Sequence, residues 1–358
     1  MYQQHKQNGF VIISMFMMLT LCATLVSLFM VRGIVYRYSM RYFLSDKKNS
    51  IRLQSGVALA QKYITPVNNS KGQQSSAQQQ SASASTGATS SAASTGDDTK
   101  SQLMKLLQNR EKKITAEMLG ETDHAGMTLA VIAESGKINI NSLYDFKNKK
   151  FVNEGAKTGD MQKLCQWLFD RIAQARGGQS LFEPLVDFLK KRTVPLHDVT
   201  ELLLIPEFSE YFYQAVFYIP SQEKNAKQKL YLTDIFTVAT EGVTIQPWLL
   251  SSSLIIILGG TSSVISSKQI EEVLKNFAAT ADWAKEWDET IKILYGIKFD
   301  NLSEEMKSIL TPQFEATIFS ISLNMDDENN KAGLYALIKK KTETNGLSTY
   351  DMVRMYQI

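Results

Sequence analysis

The chain has 358 residues, is 44% hydrophobic and 21% charged, and carries a net charge of +3 at pH 7. This composition fits a protein with two modest folded units and excludes one that crosses a membrane many times. The small net charge, without a dense Lys/Arg patch, argues against nucleic-acid binding. Cys22 lies inside a long apolar run and Cys165 lies in a distant helical pattern, so we expect no disulfide between them.

The first element is an apolar run that begins behind nine mostly polar residues. Phe10–Val31 contains no charge, and as a helix it reaches about 33 Å, enough for a hydrocarbon core of about 30 Å. The apolar part of a signal peptide is usually only about 7 to 15 residues long, and Arg32-Gly33 is not a small-residue cleavage site. The sequence therefore predicts a retained membrane-spanning segment over 10–31.

The charges that flank this run are unequal. Upstream there are only Lys6, His5 and the terminal amine. Downstream there are five cations: Arg32, Arg37, Arg41, Lys47 and Lys48. A count of Lys and Arg alone would place the downstream side in the cytoplasm.

Helical spacing of apolar residues continues beyond the span. Those residues are Tyr38, Tyr42, Leu53, Val57, Ala60 and Ile64. Their spacing predicts that 32–65 continues the same helix, and the alternative is two helices broken near Gly33 or at Ser45-Asp46. The next segment, 66–102, is built largely from Ser, Ala, Gln, Thr and Gly. It cannot bury enough apolar surface to offset its ordering entropy, so we expect a disordered linker, with a repetitive interaction tract as the alternative.

The segment 103–143 is predicted to begin a sheet domain. A short helical patch at Leu103–Leu107 precedes the stretch MTLAVIAESGKININSL, which starts at Met127. Two β-rich runs, TLAVIAE and KININ, flank the turn residues Ser135 and Gly136. This pattern predicts a β-hairpin.

From about residue 144 to 299 the pattern is mainly helical. Asp160 can cap a helix that Gly177-Gly178 would end, and short helices are predicted from Ser180 and from His197 up to Pro206. An aromatic cluster follows: Phe208, Tyr211, Phe212, Phe217 and Tyr218. LYLTDIFTVATEGVTIQP is predicted as a second β-rich stretch, and a long helix is predicted on the apolar stripe Ile270, Val273, Leu274, Phe277, Ala281, Ala284, Ile291 and Leu294.

The segment 300–358 contains three β-rich runs, FEATIFSISLNM, GLYALIKKK and STYDMVRMYQI, joined by polar loops. They predict an antiparallel meander. Strands at both ends thus bracket a helical interior. The predicted fold class is α+β, with a long N-terminal transmembrane helix and an antiparallel sheet domain that carries a large inserted α-helical domain.

A search for catalytic patterns finds little. His5, His124 and His197 occur singly, without H-E-x-x-H or C-x-x-C, so no zinc site is predicted. For His197 we expect an exposed position in a first helical turn. The glycine-containing stretch Gly259–Ser267 matches neither nucleotide-binding fingerprint, and a structural turn is favoured over a phosphate site.

Two further features also favour structure over chemistry. The loop Met325–Asn330 offers oxygen ligands but lacks the spacing of a calcium loop, so a solvated hairpin loop is favoured over a cation site. Trp283 and Trp287 are four residues apart, which favours packing over a stacking platform. We expect the protein not to be an enzyme.

The start of the chain resembles the type III leader of the pilin and pseudopilin superfamily. The polar leader 1–9 ends in Gly9, and Phe10 opens the apolar helix, in the two places that flank the cleaved bond in that family. Most members carry glutamate at the fifth residue after the cut, where this chain has Ser14. This feature resembles the K-type minor pseudopilins of type II secretion systems.

Four later stretches resemble the same family in the same order. They are RLQSGVALAQKYI from Arg52, GKININSL from Gly136, TELLLIPEF from Thr200, and TIQPWLLSSSLIIIL from Thr244. Gln246-Pro247 and Glu207 depart from the family pattern, which has an asparagine-rich pair and a glycine at these places, and the linker is unusually long.

The resemblance implies cleavage after Gly9 and N-methylation of Phe10 by the prepilin peptidase. It implies a single-pass inner-membrane protein with its bulk in the periplasm, located at the tip of the pseudopilus with I- and J-type minor pseudopilins. Contact with exported cargo is a further implied interaction. The family can bind calcium, but the resemblance assigns no ligands here. The alternatives are a minor type IV pilin, which would lack the inserted helices, and a membrane-tethered envelope enzyme.

Overall fold

The structure, a computed structural model, describes residues 4–64, 103–108, 110–119, 126–220, 229–261, 265–275, 283–311, 316–327, 330–342 and 348–358. The chain divides into two compact units, Met1–Gln54 and Ser55–Ile358. The predicted linker over 66–102 lies outside the described residues.

One helix, α1, runs from Gln4 to Ile64, and its last residues belong to the second unit. It continues through Gly33 and through Ser45-Asp46, so the prediction of a single helix is confirmed and the two-helix alternative is wrong. The segment has no proline before Pro66, and a single glycine inside a helix costs only about 1 kcal/mol relative to alanine. That cost is too small to end a helix of 61 residues.

The second unit contains a five-stranded sheet within the described residues. Its strands are β1 (Glu111–Ile114), β2 (Gly126–Ala133), β7 (Ile318–Asp327), β8 (Asn330–Thr342) and β9 (Ser348–Gln357). They lie side by side in the order β1-β2-β7-β8-β9, and each neighbouring pair is antiparallel. The predicted C-terminal meander is therefore confirmed. A helix over 103–108 (α2) precedes β1, as the short helical patch predicted.

The central strand β7 has apolar side chains on one face and serine side chains on the other. Phe319, Ile321 and Leu323 alternate with Ser320 and Ser322, and all five are buried. Alternate residues of a strand point to opposite faces, so both faces of β7 are covered by protein. The apolar face packs against the end of α1, where a Cβ added to Gly56 would lie 3.0 Å from a methyl carbon of Leu323.

The predicted hairpin between TLAVIAE and KININ is wrong. β2 pairs with β1 and β7, and a 3₁₀ turn at Glu134–Gly136 directs the chain away from the sheet. The next residues form a two-residue strand, β3 (Ile138–Asn139), which pairs in parallel with β6 (Phe236–Thr237). The turn is fixed by a close backbone approach that local patterns do not encode, since a Cβ on Gly136 would lie 1.7 Å from the carbonyl oxygen of Leu249.

Most elements between β2 and β7 are short helices. The remaining strands there are β4 (Tyr144–Asp145) and β5 (Lys150–Phe151), which pair with each other. The α-helices are α3 (Met161–Arg176), α4 (Phe182–Lys191), α5 (Pro206–Tyr211), α6 (Leu232–Ile235), α7 (Ser252–Ile257), α8 (Ser267–Lys275), α9 (Trp283–Glu286), α10 (Ile291–Tyr295) and α11 (Glu304–Ser308). The 3₁₀ helices include Ala116–Leu119, Ile140–Ser142, Val199–Leu204, Pro247–Leu249 and Phe299–Asn301.

Both predicted ends of α3 are confirmed. The Asp160 carboxylate accepts hydrogen bonds from the backbone amides of Gln162 at 3.0 Å and Lys163 at 3.4 Å. Gly177 ends the helix in the left-handed conformation with φ of 74°. An acidic N-cap and a glycine C-cap satisfy backbone groups that the helix itself leaves unpaired.

Two other predictions in this segment are wrong. The stretch from Leu230 to Pro247 forms α6 and only the two-residue strand β6. The long helix predicted from the apolar stripe is interrupted at residues 287–290, between α9 and α10, although Ile270 and Leu294 are buried as expected; Phe277 and Ala281 of the stripe lie outside the described residues. A turn follows α9, and the Trp287 indole in it donates to the Ile297 carbonyl at 2.8 Å, a contact that a continuous helix would not make.

The strands β2 and β7 are neighbours in the sheet, yet residues 134–317 lie between them in the chain. The α+β class is confirmed, and helices α3 to α11 lie in a segment that leaves the sheet after β2 and returns to it at the adjacent strand β7.

Candidate functional site

The first unit exposes a long apolar surface on α1. An 18-residue window of this helix has a mean hydropathy of 2.3, and none of the window is buried within the described residues. Phe16 and Phe29 are 68% and 71% exposed. Soluble proteins rarely leave a contiguous apolar surface of this size in water, so lipid or other apolar helices must cover it.

Polar groups inside this apolar stretch bond within the helix. The hydroxyl of Thr20 donates to the carbonyl of Met17 at 2.9 Å, and that of Thr24 donates to the carbonyl of Leu21 at 2.8 Å. Bonding of this kind removes the main cost of placing a hydroxyl in hydrocarbon, where no water is present to accept it.

The predicted cleavage position lies near the start of α1. The helix passes through Gly9 and Phe10, whose side chains lie outside the described residues, and cleavage and methylation there stay predictions. Ser14 lies one helical turn beyond Phe10 and is exposed. Its hydroxyl is neutral, so the apolar surface carries no ionised group at the position where most members of the resembled family have glutamate.

The second unit has an ion pair buried between the sheet and the inserted helices. Lys137 is 1% exposed and Glu134 is 3% exposed, and the Lys137 ammonium donates to the Glu134 carboxylate. The same ammonium donates to the Ser320 hydroxyl on β7 at 2.9 Å. Burial alone lowers the pKa of Lys137, but the nearby carboxylates and the Tyr335 hydroxyl raise it more, so the net pKa is raised and the side chain stays charged.

Asp234 on α6 is a second buried carboxylate near this pair. One of its oxygens accepts from the backbone amide of Ser253 at 2.6 Å, while Oδ1 has no hydrogen-bond partner among the described residues. Burial raises the pKa of Asp234, and the Lys137 charge opposes that rise. Lys137 therefore stabilises two carboxylates that come from different parts of the chain.

A more exposed ionic cluster joins the sheet edge to the inserted segment. Asp198 accepts from the Tyr356 hydroxyl at 2.5 Å and from the Arg354 guanidinium, both on β9. Burial alone would raise the pKa of Asp198, but the hydroxyls of Tyr356 and Thr200 and the Arg354 charge lower it more, so the net pKa is lowered. The cluster attaches β9 to the start of the 3₁₀ helix Val199–Leu204.

No protein-family model matches the chain, and no curated protein matches it significantly. A solved structure does match: the GspK-GspI-GspJ complex of the type II secretion system from enterotoxigenic Escherichia coli. The match has 12% identity and a TM-score of 0.34, and it covers 74% of this chain and 94% of the matched chain.

The remaining candidate residues are dispersed. His197 is exposed, as expected, but it lies before the N-cap Asp198 and not in the first helical turn; the side chains of His5 and His124 lie outside the described residues. Within the described residues, no three His, Cys, Asp or Glu side chains are placed to hold a metal ion. Cys165 is buried, and burial raises its thiol pKa. The expectation that the protein is not an enzyme stays a prediction.

The remaining sequence features are the glycine pair Gly259-Gly260, the tryptophans Trp283 and Trp287, and the loop Met325–Asn330. Gly259 has a φ of 81°, and a Cβ on Gly260 would lie 2.5 Å from the carbonyl oxygen of Tyr295, so this glycine pair forms a tight turn. Trp287 is buried, which confirms its packing role, while the Trp283 side chain lies outside the described residues. Part of the loop Met325–Asn330 also lies outside them.

Sequence reasoning missed the buried charges. The signal was present as an i, i+3 Glu134–Lys137 pair inside an apolar run, and as the single acid Asp234 in LYLTDIF. Charged residues are almost never fully buried unless they are paired, so a lone charge in an apolar run can indicate a buried partner.

Proposed function

We propose that this chain is a K-type minor pseudopilin of a type II secretion system. It acts by assembly, as the subunit at the tip of the pseudopilus that initiates assembly and supports protein export. The observation that carries the proposal is the helix α1, which passes through the Gly9-Phe10 pair, exposes an apolar surface from Ile12 onward and continues without a break into a folded α+β unit.

The helix has two roles in this function. Residues 10–31 span the inner membrane, and the prepilin peptidase removes 1–9 and methylates the new amino terminus at Phe10. Ser14 replaces the glutamate that would need a cation, such as a neighbouring amine, to offset its burial in lipid. A subunit without this carboxylate lacks one reason to insert beneath another subunit. A subunit at the tip has no subunit above it and does not need the carboxylate.

The folded unit acts as the cap. The helices between β2 and β7 add bulk to one sheet, which supports a K-type subunit over a minor type IV pilin without such an insertion. The buried Glu134–Lys137 pair and the Asp198–Arg354 cluster hold the insertion to the sheet at two places. A bulky, firmly attached insertion would prevent the addition of a subunit above it.

The partners in this function are the I- and J-type minor pseudopilins, the prepilin peptidase and the membrane, with exported cargo as a further contact. The bulk of the chain lies in the periplasm. This topology is the reverse of the one that the Lys/Arg count predicts, because the side with more cations lies in the periplasm and not in the cytoplasm. A leader that remains cytoplasmic for cleavage is the feature that overrides the count.

The test is to express the full chain with a prepilin peptidase and with I- and J-type minor pseudopilins, and then to extract it from the membrane. We expect an intact mass that lacks the first nine residues and carries one added methyl group. We also expect both minor pseudopilins to co-purify with the chain.

A parallel expression without the peptidase gives the uncut control. An uncut terminus in the presence of an active peptidase, together with no co-purification, contradicts the proposal. Cleavage without an I- or J-type partner would favour the minor type IV pilin instead. Turnover of a substrate by the purified chain would favour the envelope enzyme.

A further inference from the structure

The part of α1 directly after the apolar run carries five spaced cations. Arg32, Arg37 and Arg41 are all exposed, and Lys47 and Lys48 follow within two turns. In the whole of α1, from Gln4 to Ile64, the sequence has one acidic residue, Asp46. Among the described residues, no carboxylate lies within ion-pair distance of the three arginines.

If the apolar run spans a bilayer, Arg32 lies at the depth of the lipid head groups, and Arg37 and Arg41 follow on the water side, within about the length of an arginine side chain of that layer. Arg32 is the first residue after Val31, and Arg41 is only nine residues further, a rise of about 14 Å. Arginine side chains near the end of a span extend toward the interface while their methylene stems stay in apolar surroundings. The guanidinium groups therefore reach the phosphate layer without any bend in the helix.

Aromatic side chains interleave with these cations. Tyr36 is 66% exposed and Tyr38 is 69% exposed, and Phe43 has the Lys47 ammonium 5.5 Å from its ring centre. Tyrosine at the boundary between hydrocarbon and water is a common anchor of membrane helices. Apolar span, aromatic residues and cations thus follow one another along one continuous helix.

From this arrangement we propose that residues 32–48 bind anionic phospholipid head groups, with Arg32, Arg37 and Arg41 as the principal contacts. The proposal rests on the membrane-spanning helix of the proposed function, but it does not depend on which side of the membrane these residues reach. Planar guanidinium groups bind phosphate oxygens through paired hydrogen bonds, and the short distance to the membrane surface limits screening by salt. The head groups then neutralise three arginines that have no carboxylate within ion-pair distance among the described residues.

The test uses the full chain reconstituted in bilayers that contain trace spin-labelled phosphatidylglycerol or spin-labelled phosphatidylcholine. Electron paramagnetic resonance then measures how strongly each lipid class is immobilised at the protein surface. We expect phosphatidylglycerol to be preferred about five-fold, because one basic residue near a membrane surface contributes about 1 kcal/mol. The preference should weaken at 1 M salt, where the screening length falls to about 3 Å.

Two variants and a matched control complete the experiment. R32Q/R37Q/R41Q should bring the two lipids to parity, while R32K/R37K/R41K should keep most of the preference because it keeps the charge. K147Q/K149Q/K157Q removes three exposed cations from the second unit and should leave the preference unchanged.

Parity in the wild-type chain, or an undiminished preference in R32Q/R37Q/R41Q, overturns the proposal. The first of these results would favour acidic side chains of a partner helix as the group that the arginines bind. Resistance of the chain to alkaline carbonate extraction is measured in parallel. Extraction of the wild-type chain contradicts the membrane-spanning helix itself, whereas resistance with lipid parity contradicts only the lipid contact.

Discussion

Replacement of Lys137 by methionine tests how the inserted helices are held on the sheet. Methionine preserves most of the volume of the side chain but removes the ammonium that donates to Glu134 and Ser320. Glu134 would then be a buried carboxylate without its cation, and Asp234 would lose a stabilising charge. Removal of one partner from a buried ion pair costs about 3–5 kcal/mol, and we expect the free energy of unfolding to fall by about that amount.

A double-mutant cycle separates the loss of the pair from the loss of packing. Glu134→Gln removes the carboxylate charge but retains an oxygen that can accept from Lys137. Combined with Lys137→Met, it should recover part of the stability, because the uncompensated charge at position 134 is gone. We expect an interaction free energy of about 1–3 kcal/mol between the two substitutions.

The assay is urea unfolding of the full chain in detergent micelles, followed by tryptophan fluorescence. All four tryptophans lie in the second unit, so the signal reports the unit that contains the pair. The matched control is Lys163→Met. Lys163 is 59% exposed and lies 3.8 Å from Asp160, so its loss should cost less than about 1 kcal/mol.

The reasoning is refuted if Lys137→Met costs no more than the Lys163 control, or if the two losses in the cycle simply add. The pH dependence gives a second check. The pKa of Lys137 is raised above its ordinary value of 10.5, so its contribution is complete below that pH and is lost only as pH rises through the raised value. Without the Lys137 charge, the buried Asp234 carboxylate takes up a proton more readily, so the stability difference between the wild type and Lys137→Met should be largest above neutral pH and should shrink as the pH falls toward 4.

Three other substitutions have defined outcomes. Gly136→Ala places a Cβ 1.7 Å from the Leu249 carbonyl oxygen and should lower the free energy of unfolding in urea by about 3 kcal/mol or more. The control Gly126→Ala meets no atom within 4 Å and should change that free energy by less than about 1 kcal/mol. Equal losses in the two variants would contradict the close approach at Gly136. Burial raises the pKa of Asp234, so the wild type should lose stability relative to Asp234→Asn as the pH rises through that raised pKa. A stability difference between the two proteins that stays constant from pH 4 to pH 8 would contradict the raised pKa. Gly9→Leu should leave the leader attached in intact-mass analysis, and a processed chain would contradict the predicted cleavage position.

Local patterns in the sequence predicted the elements that local forces determine. The apolar run from Phe10 continues as one helix, Asp160 and Gly177 cap α3, and the last three strands form the predicted meander. In each case the deciding interactions are between residues close in sequence, either through helical spacing, end capping or short connections between antiparallel strands. The candidate residues Gly9, Phe10 and Ser14 were found in the same way, as a pattern at the start of the helix.

Patterns were insufficient where partners are distant in sequence. TLAVIAE and KININ have the composition of paired strands, but β2 instead joins β7, whose residues lie nearly two hundred positions later. The pairing of Ile138 with Phe236 in a parallel two-residue ladder could not be read from either segment alone. Strand composition indicates that a strand forms, whereas the choice of partner depends on long-range packing.

The sequence by itself determined that the first helix is long and apolar enough to cross a membrane, since length and absence of charge are properties of the chain alone. Only the tertiary structure decided that Lys137, Glu134 and Asp234 share one buried site, because a charge can be buried only where its partners converge. The same holds for Gly136, where a backbone carbonyl more than a hundred residues away leaves no room for a side chain. Helix formation depends on near neighbours, while buried ionic sites and close backbone contacts depend on residues brought together by the fold.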